Sequence, residues 1–321
     1  MEVISWIPLL ILKDKHFLKM KFIPIIIAGC HGELGSALVS KITGKYKVIG
    51  IGRDNKKLID NVDYEYIKLD ILNRKKLKEI FKFYQPRFVI NTVAMTDVDN
   101  CEKERERCWR TNVETLQNII YACKFVEVNL IHISTDYIFD GKNGPYSEEN
   151  KPNPLNYYGK SKLASENLVI TSDLEYSVIR TSTLYSGSNI KGKKNFAIRM
   201  WEELSRGNKI KVIRDEVRNP TFTGNLADCI WKIINLERNG IYNIAGKDII
   251  DRYNYALEFA RYFGFSEKLI EPVYSIEVPN RTHRPKNCGL LVEKAEKELY
   301  LNLIGVKKGL ELFKEQMKNH S

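Results

Sequence analysis

Short apolar runs of strand length recur along the first 180 residues, separated by stretches whose apolar positions follow a helical spacing. Residues 22–28 form the first run, broken only by Pro24, and a helical pattern on Leu34, Leu38 and Ile42 follows it. Further runs lie at 47–51, 66–69, 87–91, 129–134 and 176–180, with helical stretches at 74–84, 102–125 and 158–170. Runs apolar on both faces that alternate with helices predict a parallel sheet covered on both sides, a Rossmann-type doubly wound fold of the α/β class. After about residue 184 the pattern turns irregular, with a basic Gly/Ser/Asn stretch, Pro220-Thr221 and a late strand at 241–244. This order predicts a nucleotide-binding domain over 20–183. Residues 184–321 read mainly as a smaller substrate-binding lobe, with the strand near 241–244 returning to the main sheet.

Between the first run and the first helix stand Gly29, Gly32 and Gly35. In that setting the first glycine permits a tight turn, the second a close approach to a pyrophosphate, and the third close helix–strand packing. The helix N-terminus adds free N–H groups and the positive end of its dipole. The turn predicts nucleotide binding, with Gly29, His31, Gly32, Glu33, Leu34 and Gly35 as candidate cofactor residues. At the end of the second run the order is Gly52-Arg53-Asp54, with Lys56 and Lys57 close behind. An acidic residue there takes the ribose hydroxyl of NAD, whereas a guanidinium pairs with a 2′-phosphate. Arg53 tilts the reading toward NADP(H), and Asp54 leaves NAD(H) open. Asp70-Ile71, after the third run, could receive the adenine amino group; helix capping is the competing role for Asp70.

Tyr158 and Lys162 are one helical turn apart and so share a face. An ammonium beside a phenol favours the phenolate and lowers its pKa, which suits proton exchange with a carbonyl or alcohol near neutral pH.

Composition narrows the partners. Lys plus Arg (51) against Asp plus Glu (40) gives a net charge of +11, a balance that suits an anionic small molecule or a Lys-rich solvated surface. No nucleic-acid-reading motif accompanies it, so no nucleic-acid partner is expected. The six cysteines lack CxxC spacing, and His31, His132 and His283 lack metal spacing, which predicts reduced thiols, no metal site and a cytoplasmic protein. The apolar stretch 4–12 is too short to cross a bilayer and has no basic region ahead of it, so no membrane or secretory role is expected. Met20 resembles a natural start, and residues 1–19 read as an extension outside the fold.

Several separate segments carry a family resemblance. They are the glycine turn, residues 91–99 (Asn-Thr-Val-Ala-Met-Thr-Asp-Val-Asp), 134–141 (Ser-Thr-Asp-Tyr-Ile-Phe-Asp-Gly) and 154–162 (Pro-Leu-Asn-Tyr-Tyr-Gly-Lys-Ser-Lys). Pro145-Tyr146 with Glu148, Arg180-Thr181-Ser182, Asn219-Pro220-Thr221 and Arg284-Pro285 complete the set. Over about residues 20–315 the chain resembles the extended short-chain dehydrogenase/reductase superfamily, and within it the dTDP-4-dehydrorhamnose reductase family. The resemblance implies reduction of the C4 ketone of a dTDP-linked 4-dehydro-6-deoxy sugar, giving dTDP-rhamnose. Thr135 would polarise the carbonyl, Tyr158 donate the proton, and Lys162 bind the nicotinamide ribose and hold the phenol pKa down. Ala94 and Thr96 would line the cofactor, Thr96 also the sugar, with Asp136 and Tyr137 extending that wall. Arg218 and Arg284 are candidates for the substrate pyrophosphate, against surface salt bridging. Asn112 reads as a structural anchor and His132 as a packed residue. Two positions depart from the family: Thr183 replaces a Trp that packs on the sugar, and Glu216 a frequent Gln. The resemblance leaves alternatives open: another nucleotide-sugar reductase, epimerase or dehydratase of the same superfamily, or a non-catalytic NADP-binding regulatory subunit like that of methionine adenosyltransferase. A dehydratase is disfavoured because Tyr137 stands where it would carry Glu. A homodimer is also left open.

Overall fold

The computed structural model describes residues 23–60, 62–188 and 194–318, so the extension read at 1–19 lies outside the described residues. The first part of the chain forms β1 (Pro24–Ala28), α1 (Glu33–Ile42), β2 (Lys47–Gly52), β3 (Glu65–Lys68), α2 (Arg74–Tyr84) and β4 (Phe88–Asn91). Then come α3 (Val98–Lys103), α4 (Arg105–Trp109), a π-helical turn (Arg110–Glu114), α5 (Thr115–Cys123), β5 (Asn129–Thr135), α6 (Tyr157–Ile170) and β6 (Glu175–Thr181). The rest supplies β7 (Leu184–Tyr185), α7 (Phe196–Ser205), β8 (Ile210–Ile213), β9 (Val217–Arg218), β10 (Thr221–Phe222) and α8 (Thr223–Leu236). It ends with β11 (Gly240–Asn243), β12 (Ile250–Asp251), α9 (Arg252–Phe263), β13 (Ile270–Val273), α10 (Glu293–Leu299) and α11 (Val306–Lys318).

Seven parallel strands make the main sheet in the order β3-β2-β1-β4-β5-β6-β11. β1 and β4 are neighbours from which the chain proceeds in opposite directions, so the crevice for a ligand opens beyond their C-terminal ends. The late strand pairs with β6, Ile241 opposite Val178. Around Phe222, Phe259 and Phe313 a separate apolar core gathers α7, α9 and α11 with the small strand pairs β7/β10 and β8/β13. The helix expected over 102–125 differs most from the sequence pattern. It starts earlier, at Val98, where the Asp97 side chain accepts from Asn100 N–H, and it breaks at Glu104 before passing through the π-helical turn.

No apolar stripe explains why α6 docks on the sheet. Its buried face carries Tyr158, Gly159, Ser161, Lys162, Ser165 and Glu166, with Val169 alone as a large aliphatic. Glu166 meets Arg180 of β6 at 2.9 Å, both side chains almost wholly buried, and Arg180 also donates to the Glu148 carbonyl at 3.0 Å. Ser165 donates to Asn112 O, and Asn112 Nδ2 donates to Ser161 Oγ, each at 2.8 Å. Glu166→Ala, which strands the Arg180 guanidinium without its counter-charge, is expected to lower unfolding free energy by about 3–5 kcal/mol. Urea denaturation monitored by circular dichroism checks this. A loss below about 1 kcal/mol, the ordinary value of an exposed pair, would show that water reaches the pair.

Candidate active site

The turn after β1 is shaped by its glycines. Gly29 has φ +83°, and a Cβ there would sit 2.7 Å from Thr92 Oγ1 of the segment following β4. A Cβ at Gly35 would lie 2.2 Å from the Gly29 carbonyl, so any side chain would push α1 off the turn. At Gly32 only that same carbonyl lies within 4 Å, at 3.3 Å, which leaves its other side open. Gly32 caps α1 without a side-chain hydrogen bond, so the first amides of the helix remain for an anion. These features fit the pyrophosphate of a dinucleotide.

Three side chains of this turn stand elsewhere than the sequence reading put them. Leu34 is packed into the core. Glu33 Oε1 accepts from Ser186 Oγ, Asn195 Nδ2 and Thr223 Oγ1 at 3.0–3.1 Å, which turns the carboxylate toward the later elements. The His31 ring is buried between Asp54 and Tyr64. Only the main chain of these residues is left to face a cofactor. Arg53 and Lys56 are exposed beyond β2, while Asp54 receives the His31 Nδ1 at 2.8 Å. Asp70 is exposed and accepts from Leu72 N–H at 3.0 Å. It does not cap α2; Asn73 does, accepting from Lys76 N–H. The Ile71 side chain is buried, and its carbonyl accepts from Asn118 Nδ2. Ala94 is partly buried and Thr96 exposed on the segment after β4, across the crevice from the glycine turn.

Thr135 ends β5 and faces α6. Its hydroxyl donates to Asp136 Oδ1 at 3.0 Å and accepts from Tyr137 N–H at 3.3 Å. Tyr158 and Lys162 share a face as their spacing predicts, but the expected lowering of the phenol pKa is reversed. Burial pushes Tyr158 above the usual phenol value, and the neighbouring Thr135 hydroxyl only partly opposes that. The Lys162 amine is aimed instead at the Ile133 carbonyl, 2.6 Å away, and at His132 Nε2, 3.3 Å away. Burial draws Lys162 down to about 8, against the pull of Glu166 and Cys108 in the other direction. His132 is wholly buried, with its own pKa held well below 6.5 by burial and by Lys162, and so serves as a neutral partner bonded on its far side to Asn91.

The expected substrate wall divides in two. Tyr137 remains half-buried, edge-on to Tyr158 with ring centroids 5.6 Å apart, and Thr183 stands at φ +32° just past β6. The charged groups of Asp136 and Arg218 are turned toward each other. They form a buried pair at 3.1 Å, with Ser182 Oγ donating to Asp136 and the guanidinium donating to the Val217 and Pro285 carbonyls. Arg284 is held by both oxygens of Asp99, at 2.7 and 3.1 Å, so the salt-bridge role is the one present. Asn112 fulfils its anchoring role through the Met95 main chain and Ser161. Not foreseen was Glu216, fully buried between Arg281 and Arg252; its replacement of a frequent Gln was the available signal. Among the described residues no group of three or more His, Cys, Asp or Glu is arranged to hold a metal, and no helix is long and apolar enough to cross a membrane.

A glycine turn at the switch point of a seven-stranded parallel sheet, faced by Thr135, Tyr158 and Lys162 on β5 and α6, defines a Rossmann-fold protein of the extended short-chain dehydrogenase/reductase class. The sequence matches the RmlD substrate binding domain over residues 23–319, and the chain belongs to that family. The spore coat polysaccharide biosynthesis protein SpsK of Bacillus subtilis is 30% identical over 81% of this chain and 86% of its own length. The dTDP-4-dehydrorhamnose reductase of Escherichia coli is 32% identical over 76% of this chain and 86% of its own. A crystal structure of dTDP-4-dehydrorhamnose reductase from Bacillus anthracis in complex with NADP superposes with a TM-score of 0.80 at 28% identity, covering 91% of this chain and 99% of that one.

The depressed pKa of Lys162 makes a sign-specific prediction about stability. Between about 8 and 10.5 the unfolded chain binds more protons than the folded one. The cost of a charged Lys162 is therefore fully present below pH 8 and relieved as pH rises toward 10.5. The change in melting temperature on Lys162→Met should be more favourable at pH 7 than at pH 10, as read by differential scanning fluorimetry. An equal change at both would mean that Lys162 titrates like a solvated lysine.

Proposed function

We propose that this protein reduces the C4 ketone of a dTDP-linked 4-dehydro-6-deoxy sugar with NADPH, in the manner of dTDP-4-dehydrorhamnose reductase. The observation that carries the proposal is the buried Tyr158 phenol on α6 set against Thr135 at the end of β5, beside the nucleotide crevice. The turn 29–35 and the first amides of α1 would hold the pyrophosphate, Arg53 with Lys56 the 2′-phosphate, and Asp70 the adenine amino group. Lys162 would take the nicotinamide ribose hydroxyls, with Ala94 and Thr96 flanking. When bound, the cofactor supplies the hydride.

The chain's own groups handle the proton. The Thr135 hydroxyl would turn from Asp136 to donate to the ketone oxygen and polarise it. Because burial keeps the phenol protonated at neutral pH, Tyr158 is in the state a proton donor requires. The proton passes from Tyr158 Oη to the alkoxide oxygen as it forms. The phenolate left behind would be favoured if the Lys162 ammonium swings from the Ile133 carbonyl toward it. Tyr137 and Thr183 border the sugar; without an indole at 183 the contact on that side is smaller. The reading extends to a cytoplasmic homodimer; a monomer mass by light scattering would reject that part.

The test is loss of reduced-nicotinamide absorbance when purified protein meets NADPH and dTDP-4-dehydro-6-deoxy-L-mannose, with dTDP-rhamnose identified by mass and chromatography. NADPH that binds but is not consumed would count against this substrate. Tyr158→Phe should cut turnover by roughly 10²–10⁴ while NADPH binding stays close to wild type. A change of only a few-fold would remove Tyr158 from its assigned role.

A further inference from the structure

Asp54 lies two residues past β2, near the place where a carboxylate takes the adenosine ribose hydroxyls of NAD and where the same charge repels a 2′-phosphate. Here that carboxylate is already bound. His31, in the phosphate turn 23 residues earlier, meets Asp54 Oδ2 through Nδ1 at 2.8 Å. The other ring nitrogen, Nε2, is faced by the Leu58 N–H at 3.3 Å and the Tyr64 hydroxyl at 2.9 Å. A main-chain N–H can only donate, so Nε2 is the acceptor and Nδ1 carries the hydrogen given to Asp54. The ring has no freedom to turn, being buried and stacked on Tyr66 at 4.5 Å between centroids. Tyr66 in turn donates its hydroxyl to the Asp54 carbonyl at 2.7 Å, which fixes the main chain at the same residue. Arg53, the neighbour of Asp54, is exposed and forms no ion pair among the described residues.

We infer that His31 sets the cofactor preference by holding the Asp54 carboxylate away from the adenosine ribose, leaving Arg53 to receive a 2′-phosphate. His31 is a positioning residue: its ring acts through Asp54, while the main chain of the same turn faces the pyrophosphate. The inference rests on the nucleotide-binding reading of the glycine turn. It does not depend on the sugar.

The experiment measures dissociation constants of NADPH and NADH for the full chain by intrinsic-fluorescence quenching, without turnover. His31→Ala removes the Nδ1 hydrogen bond from the Asp54 carboxylate, so NADPH binding should weaken roughly tenfold and NADH binding should tighten. Adding Asp54→Asn to His31→Ala removes the carboxylate charge and should restore NADPH binding. That rescue is what a merely structural role would not produce. Equal weakening of both cofactors without rescue would show that His31 only supports the loop, and would overturn the inference. Should His31→Ala not fold, His31→Asn keeps a short polar group in the pocket; an unchanged NADPH-to-NADH ratio there overturns the inference as well. Wild-type protein that binds neither nucleotide would instead overturn the nucleotide reading on which it rests.

Discussion

A helix whose inward face is polar can dock on a sheet only if each buried group meets its partner, and α6 imposes that constraint here. Lys162, Glu166, Ser161 and Ser165 are all buried on it, and each is answered by a group on another element: Ile133 O, Arg180 or Asn112. Apolar packing tolerates small slides, because dispersion is non-directional. A set of short, directional bonds does not. The cost of leaving any one of them unmade therefore fixes the register of α6 against β5 and β6, and with it the position of Tyr158 opposite Thr135.

The same logic explains the division of labour between the two sides of the crevice. The β1 side is built from absence: glycines that bring the turn against Thr92 and α1 against the turn, and a helix start without a cap. The β5–α6 side is built from presence, with buried titratable groups whose protonation the fold controls. Burial raises the Tyr158 phenol and lowers the Lys162 amine, which weakens the charged form of each before anything binds.

What the sequence made legible was local. The strand–glycine–helix order, the parallel sheet and the shared face of Tyr158 and Lys162 all follow from spacings within a few residues. What escaped depended on partners far along the chain. Arg284 is neutralised by Asp99, 185 residues away, and Arg218 by Asp136; neither pairing leaves a trace in local pattern. The π-helical turn within the helix expected over 102–125 likewise holds a residue with distant partners, since Asn112 bonds back to Met95 and across to Ser161. The sign of the Tyr158 shift was missed because a neighbouring charge can be read from spacing, whereas desolvation depends on everything packed around the ring.

Glu33 ties these two histories together. A single carboxylate oxygen at the start of α1 collects donors from Ser186, Asn195 and Thr223, all belonging to the later part of the chain. The nucleotide turn and the elements beyond residue 184 are thus not interchangeable modules. A chimera that grafts a relative's later segment onto this sheet inherits the turn's geometry only if the graft carries three donors at those positions. Without them it places a carboxylate stripped of those three donors beside the start of α1.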